Sequence, residues 1–164
     1  MYLLDTNVVS ELRRNKPHGA VLAWLDSVDD ASLFLSAVTI GEIQAGIEKT
    51  REQDAERALA LEEWLQQIIG SYAVLAMDAL AFRAWGRMKH RQSETLLEDA
   101  MIAATAEVHG LTVVTHNTAD YKALGVKTLN PFAPFHSPPP NSGRTGSEQP
   151  PDPEEPQLQA GGTG

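Results

Sequence analysis

Residues 99–121 read DAMIAATAEVHGLTVVTHNTADY, and this stretch fixes the type of layer the chain builds. Small and apolar residues recur at helical spacing up to His109, and Gly110 supplies a natural stop. The run LTVVT that follows is continuously apolar or β-branched instead of alternating, which suits a strand covered on both faces. The same strand-then-helix unit recurs upstream. YLLD reads as a short strand leading into VVSEL, with Thr6 or Asn7 as the cap, and SLFLSAV precedes TIGEIQAGIEK, whose Ile40, Ile43 and Ile47 share a face. AVLAWLDSV places Val21, Leu22, Leu25 and Val28 on one approximate face with Trp24 beside it. DAERALALEEWLQQIIG is a longer helix that Gly70 could end, YAVLAM a further strand, and DALAFRAWGRMKH a helix capped by Asp78. HRQSET is a polar loop, and GVKTLNPF a small closing strand and turn. Strands alternating with crossover helices predict an α/β fold with a mainly parallel sheet.

The chain has 164 residues, 42% of them hydrophobic, which supports one substantial core. Residues 137–164 hold seven prolines, five glycines and only two hydrophobic residues, Leu158 and Ala160, and are predicted to be a disordered tail. With no cysteine, disulfides, thiolate catalysis and sulfur-ligated zinc are excluded. No apolar run spans a bilayer, and the N-terminus reaches Asp5 too soon for a secretory leader, so a soluble cytoplasmic protein without membrane attachment is expected. The net charge of −9 argues against gripping long nucleic acid by a broad basic face. Two local basic segments remain as candidate substrate paths: Arg13, Arg14 and Lys16, and Arg83, Arg87, Lys89 and Arg91.

Four acids fall at element boundaries. Asp5 ends the first strand, Glu42 follows SLFLSAV, Asp99 opens a helix, and Asp120 lies five residues beyond LTVVT. In open α/β sheets ligands collect outside the carboxyl ends of strands, so these acids could converge there. Gathered carboxylates repel, and an oxygen-rich, thiol-free site suits Mg²⁺ or Mn²⁺. Each acid also has an ordinary reading: Glu42 stands at capping-box spacing from Thr39, Asp99 favours a helix N-terminus, Asp5 caps a turn, and Asp120 is a loop acid. Asn7, Ser10, Thr115 and Asn117 offer neutral polar groups near the same ends. No phosphate-binding loop, GxGxxG or nucleophile elbow occurs, LLDTN lacks the second Asp of an aspartate-phosphorylating motif, and the five histidines have no paired ligand spacing.

LLDTNVVSEL, FLSAVTIGEIQAGI, DAMIAATAEVHGLTVVTHNTADY and the closing NPF occur in an order that resembles the PIN-domain ribonucleases, particularly the VapC and FitB type of toxin in bacterial toxin–antitoxin pairs. The resemblance covers about residues 1–135. It implies a three-layer α/β fold with a central, mainly parallel sheet flanked by helices, residues 1–136 forming the catalytic domain. It carries the family's four acids onto Asp5, Glu42, Asp99 and Asp120, and its polar helpers onto Thr6 or Asn7 and onto Thr115 or Asn117, of which Asn7 and Thr115 are the preferred pair. The implied activity is Mg²⁺- or Mn²⁺-dependent hydrolysis of single-stranded or looped RNA, leaving 3′-hydroxyl and 5′-phosphate ends. Asp5 and Asp99 would be the main ligands, with Glu42 and Asp120 assisting through waters or a second ion. The implied partners are a cognate small antitoxin, a second toxin subunit, and operator DNA reached through the antitoxin. A non-catalytic PIN-like module binding nucleic acid or protein is the alternative of a different class. Two positions depart from the pattern: His116 stands where relatives often carry a basic residue, and SETLLED lacks the Gly and Pro common before the third acid.

Removing residues 137–164 is expected to leave melting and metal-dependent RNA cleavage unchanged. Side-by-side thermal melts and cleavage assays check this, and a large loss of folded signal on truncation would show that the tail packs.

Overall fold

The computed structural model describes residues 1–90 and 96–133. The tail expected over 137–164, Arg91 and most of the loop HRQSET lie outside the described residues. Five short strands, β1 (Tyr2–Leu4), β2 (Leu33–Ser36), β3 (Ala73–Leu75), β4 (Thr112–Val114) and β5 (Thr128–Leu129), form one sheet in the order β3-β2-β1-β4-β5. All four pairings are parallel, as the apolar runs and crossover helices predict. Tyr2 registers with Leu33 on one side and Thr112 on the other, so β1 is the central strand. The chain builds outward from β1 in one direction through β2 and β3, then crosses to β4 and β5. The carboxyl ends of β1 and β4 therefore mark the point where strand order reverses, the place where such sheets open a crevice.

Among the described residues seven α-helices connect the strands: α1 (Thr6–Glu11), α2 (Gly19–Asp26), α3 (Ala37–Arg51), α4 (Ala55–Ser71), α5 (Ala79–Lys89), α6 (Leu97–His109) and α7 (Thr118–Ala123), with a 3₁₀ turn at Asp30–Ser32. Successive strand residues point to opposite faces and so sort the core in two. Leu3 and Val113 pack with the small-residue face of α6, including Ala100, Ala103 and Ala106, and with Tyr121 of α7. Leu4 and Val114 pack on the other face with Val8, Val9, Val21 and Trp24. The result is the expected three-layer arrangement. Gly110 adopts φ +64 after α6; its N–H donates to the carbonyl of Glu107, and that of Leu111 to the carbonyl of Ala106, which satisfies two helix-end acceptors. Among the described residues no helix is long and apolar enough to cross a membrane.

Several local expectations are corrected. Asp5, and neither Thr6 nor Asn7, caps α1, because its extended backbone at the end of β1 lets the carboxylate accept from the Thr6 N–H. Ser36 caps α3 through the Val38 N–H, which leaves Glu42 one turn further in and outside any capping box with Thr39. Asp99 is likewise no cap: α6 begins at Leu97 and Asp99 stands in its first turn. Gly70 lies within α4, which continues to Ser71 directly before β3. In α2 the buried face is centred on Val21 and Trp24, whose ring meets Tyr2 edge-on at 5.2 Å, and Leu22 turns outward. Asp120 lies in the first turn of a short helix, α7, and not in a loop.

Leu4→Ala removes a fully buried side chain from the central strand and is expected to cost about 2–5 kcal/mol. Leu59→Ala, on a side chain 57% exposed on α4, is expected to stay within about 0.5 kcal/mol. Urea unfolding of the two variants against the wild type measures the contrast.

Candidate active site

Parallel pairing of β1 with β4 brings Asp5 beside Thr115, and the Asp5 N–H donates to the Val114 carbonyl at 3.0 Å. The Asp5 side chain is only 5% exposed, so its charge needs donors. It has four, all uncharged. One oxygen accepts from the Thr6 N–H at 2.8 Å and lies 3.1 Å from the Tyr121 hydroxyl. The other accepts from the Asn7 amide and from the Thr115 hydroxyl at 2.7 Å. Thr115 is fully buried and accepts in turn from Asn7 at 3.1 Å and from the Asn117 N–H at 2.9 Å. Asn7 also accepts from the His116 N–H at 3.1 Å, while the His116 ring packs against Phe132 of the NPF turn at 4.9 Å.

The other three acids arrive on separate helices. Glu42, on α3, accepts from the Thr6 hydroxyl. Asp99, on α6, lies 3.2 Å from the same Tyr121 hydroxyl that contacts Asp5. Asp120, on α7, accepts from the Asn117 side chain. Burial pushes the Glu42 carboxyl above its ordinary value; the Thr6 hydrogen bond opposes this, and the charges of Asp5, Asp99 and Glu98 add to it. Burial also raises the Asp99 carboxyl, reinforced by Asp5 and, more weakly, by Asp120 and Glu98, against the opposing Tyr121 contact. The four acids thus share one electrostatic neighbourhood at the carboxyl edge of the sheet. They do not close on a single point: among the described residues no three His, Asp or Glu side chains stand near enough together to hold a metal ion as placed. The donor set, oxygen only and held by neutral hydrogen bonds, fits a hard divalent cation, whose charge would offset the burial and the neighbouring charges that raise Glu42 and Asp99.

The basic segments divide. Arg13 lines a cavity of about 220 Å³ between α1, α3 and α4 that also takes in Thr6 and Glu42, whereas Arg14 pairs with Glu11 at 2.8 Å. Arg83 and Arg87 line a different cavity, of about 850 Å³, against Glu107 and the end of α7. Arg87 pairs with Glu107 at 3.2 Å, two turns along α6 from Asp99, and Lys89 sits 5.1 Å from the centre of the Trp85 ring. Thr6, one of the two candidate helpers, meets Glu42 through its hydroxyl, whereas Tyr121 carries no signal in the sequence beyond its place directly after Asp120.

A fold with a buried acid at the switch point of a parallel sheet and three more acids around it defines a class, and the comparisons agree on it. The PIN domain family matches residues 2–126, and the chain belongs to that family. Plasmid stability protein StbB of Pseudomonas syringae pv. tomato is 37% identical over 139 residues, covering 80% of this chain and 99% of that protein. VapC ribonuclease Y4jK of Sinorhizobium fredii is 34% identical over 141 residues, covering 82% and 99%. Among solved structures, FitAcB from Neisseria gonorrhoeae superposes with a TM-score of 0.72 at 34% identity, covering 81% of this chain and 99% of that one. FitAB bound to an IR36 DNA fragment gives 0.70 at 33% identity, covering 83% and 99%. Within the PIN family the chain is thus homologous to the VapC and FitB toxins.

Because the folded Glu42 and Asp99 carboxyls hold their protons at higher pH than they would in the unfolded chain, the folded state binds more protons just above the ordinary carboxyl range. The sign follows: in divalent-free buffer this contribution is favourable at acid pH and is lost as pH rises through the raised values. Glu42→Gln, which keeps an acceptor for Thr6, is expected to raise the metal-free melting temperature at pH 7 by about 2–4 °C, with the difference shrinking towards pH 4. Thermal melts across that range measure it, and a lower melting temperature for the variant at pH 7 contradicts the repulsion.

Proposed function

We propose that this chain is a divalent-cation-dependent ribonuclease and the toxin of a type II toxin–antitoxin pair. The observation that carries the reading is the gathering of buried Asp5 with half-buried Glu42, Asp99 and Asp120 from four separate elements of a PIN fold. A structural role would pair such acids with cations; here the acid at the centre, Asp5, receives only neutral donors and keeps its charge available. Asp5 and Asp99 are the main ligands in this reading, with Glu42 and Asp120 assisting, and Asn7 and Thr115 hold Asp5 in orientation. Mg²⁺ or Mn²⁺, when bound, supplies a polarised phosphate and an acidified water for hydrolysis of the RNA backbone. The chain's own residues set where that chemistry takes place: α1 brings Thr6 and Asn7 to the crevice, α3 Glu42, α6 Asp99, and α7 Asp120 and Tyr121, and Arg13 stands near Glu42 as a candidate contact for phosphate.

The groove that Arg13 shares with Glu42 is also lined by Ile43, Leu61, Trp64 and Arg57, an apolar floor between charged residues that suits an antitoxin segment with apolar side chains. The FitAB complex with DNA supports an antitoxin that carries this toxin to operator DNA. Leu80 and Phe82, 58% and 48% exposed on α5, support a homodimer contact.

Asp99→Asn is the informative variant. Asn at position 5 would turn an NH₂ group towards donors that now face a carboxylate, whereas Asp99 is neither a cap nor so enclosed. Wild-type protein with Mg²⁺ or Mn²⁺ is expected to cut defined RNAs to 3′-hydroxyl and 5′-phosphate ends. Asp99→Asn is expected to remain folded and to lose cleavage by two orders of magnitude or more, with matching loss of Mn²⁺ affinity by calorimetry. RNA binding by the wild type without metal-stimulated cleavage would replace the enzyme by a binding module.

A further inference from the structure

Tyr121 is the one fully buried tyrosine, 0% exposed, and it takes part in both the core and the acid site. Its ring packs with Leu3, Ala100, Ala103 and Leu124 in the cluster beneath the β1–β4 side of the sheet. Its hydroxyl reaches up to Asp5 at 3.1 Å and Asp99 at 3.2 Å. Those two carboxylate oxygens are therefore no more than about 6.3 Å apart, the two distances laid end to end. One phenol thus links the end of β1, the first turn of α6 and the helix that carries Asp120. Tyr121 is sealed from solvent while Asp99 and Asp120 are half-exposed, so the hydroxyl meets Asp99 from the core side and leaves part of that acid open to solvent.

We propose that Tyr121 is a positioning residue, its hydroxyl donating its single proton to Asp5 or to Asp99 and so keeping the two carboxyls together as ligands for a divalent cation. The proposal rests on the metal-dependent reading above. Two carboxylates this close repel each other, and a neutral donor shared between them offsets part of that repulsion without cancelling the charge a hard cation needs. The phenol also stays protonated, since burial and the two acids push its ionisation far above the ordinary tyrosine value. A phenylalanine here would keep the packing and lose only the link. The Asp99 side chain would then be free to swing away from Asp5 along with its turn of α6.

Tyr121→Phe isolates the hydroxyl. Expected are a metal-free melt close to wild type, Mn²⁺ affinity by calorimetry reduced about tenfold or more, the loss typical when a partner of a metal ligand is removed, and lower kcat with KM for RNA little changed. Asp99→Asn combined with Tyr121→Phe should weaken Mn²⁺ binding by less than the two single losses multiplied together, since the tyrosine acts in part through that acid. A folded Tyr121→Phe protein with wild-type Mn²⁺ affinity and wild-type cleavage overturns the proposal. A second measurement uses the unsubstituted chain labelled with ζ-¹³C tyrosine: saturating Mg²⁺ should move one of its three tyrosine resonances, and if none moves the proposal fails even where the variant does not fold. Wild-type protein that binds neither Mn²⁺ nor Mg²⁺ overturns the nuclease reading itself, and the positioning role with it.

Discussion

A buried carboxylate at the end of the central strand governs the organisation of this chain. Asp5 leaves water almost entirely, and removing a charge from water costs several kcal/mol unless hydrogen bonds replace its hydration. The replacements come from three directions: α1 turns back to offer the Thr6 N–H and the Asn7 amide, β4 ends with the Thr115 hydroxyl, and α7 supplies Tyr121. The parallel register of β1 with β4, the abrupt start of α1 and the docking of α7 all serve this one side chain. A chain built for stability alone would fill that position with an apolar residue, as Leu3 and Leu4 do immediately before it.

Around this centre the electrostatics are deliberately unfinished. Burial and like charge raise Glu42 and Asp99, and the hydrogen bonds from Thr6 and Tyr121 only partly oppose the shift. Strain of this kind in a concave, half-exposed place is the usual mark of a site that waits for a counter-charge. The PIN family membership and the homology to VapC and FitB toxins give that counter-charge a chemical context. The same edge of the molecule opens into the α1–α3–α4 groove, so one region presents both the acids and a surface on which a peptide can lie. Arg83 and Arg87 of α5 line a different cavity beside Glu107, with which Arg87 pairs.

The layer type was legible because it depends on periodicity, which is a local property. LTVVT and SLFLSAV are continuous apolar runs that only a doubly covered strand can bury, and the intervening helices have their own spacing and stops, as at Gly110. The four acids were legible as candidates because each stands next to such an element. Their local roles were not. Whether Asp99 caps a helix depends on where α6 starts, and it starts at Leu97, with Leu96 at the cap position and Asp99 already in the first turn. The short helix α7 was missed for a similar reason: six residues carry too little periodicity to distinguish a helix from a turn.

The sequence by itself therefore determined the parallel α/β layering, the absence of thiol chemistry and the positions at which acids meet strand ends, all of which follow from residue type and spacing along the chain. Only the tertiary structure decided which groups meet. Asp5 and Tyr121 are 116 positions apart, Asp5 and Thr115 are 110 apart, and Thr6 and Glu42 are 36 apart, so no window of sequence contains these contacts. They arise because parallel pairing puts the ends of β1 and β4 side by side and because packing against the alanine face of α6 presses the Tyr121 ring beneath both acids. Hydrogen-bond partners and charge repulsion depend on distance in space, and that distance exists only once the core has formed.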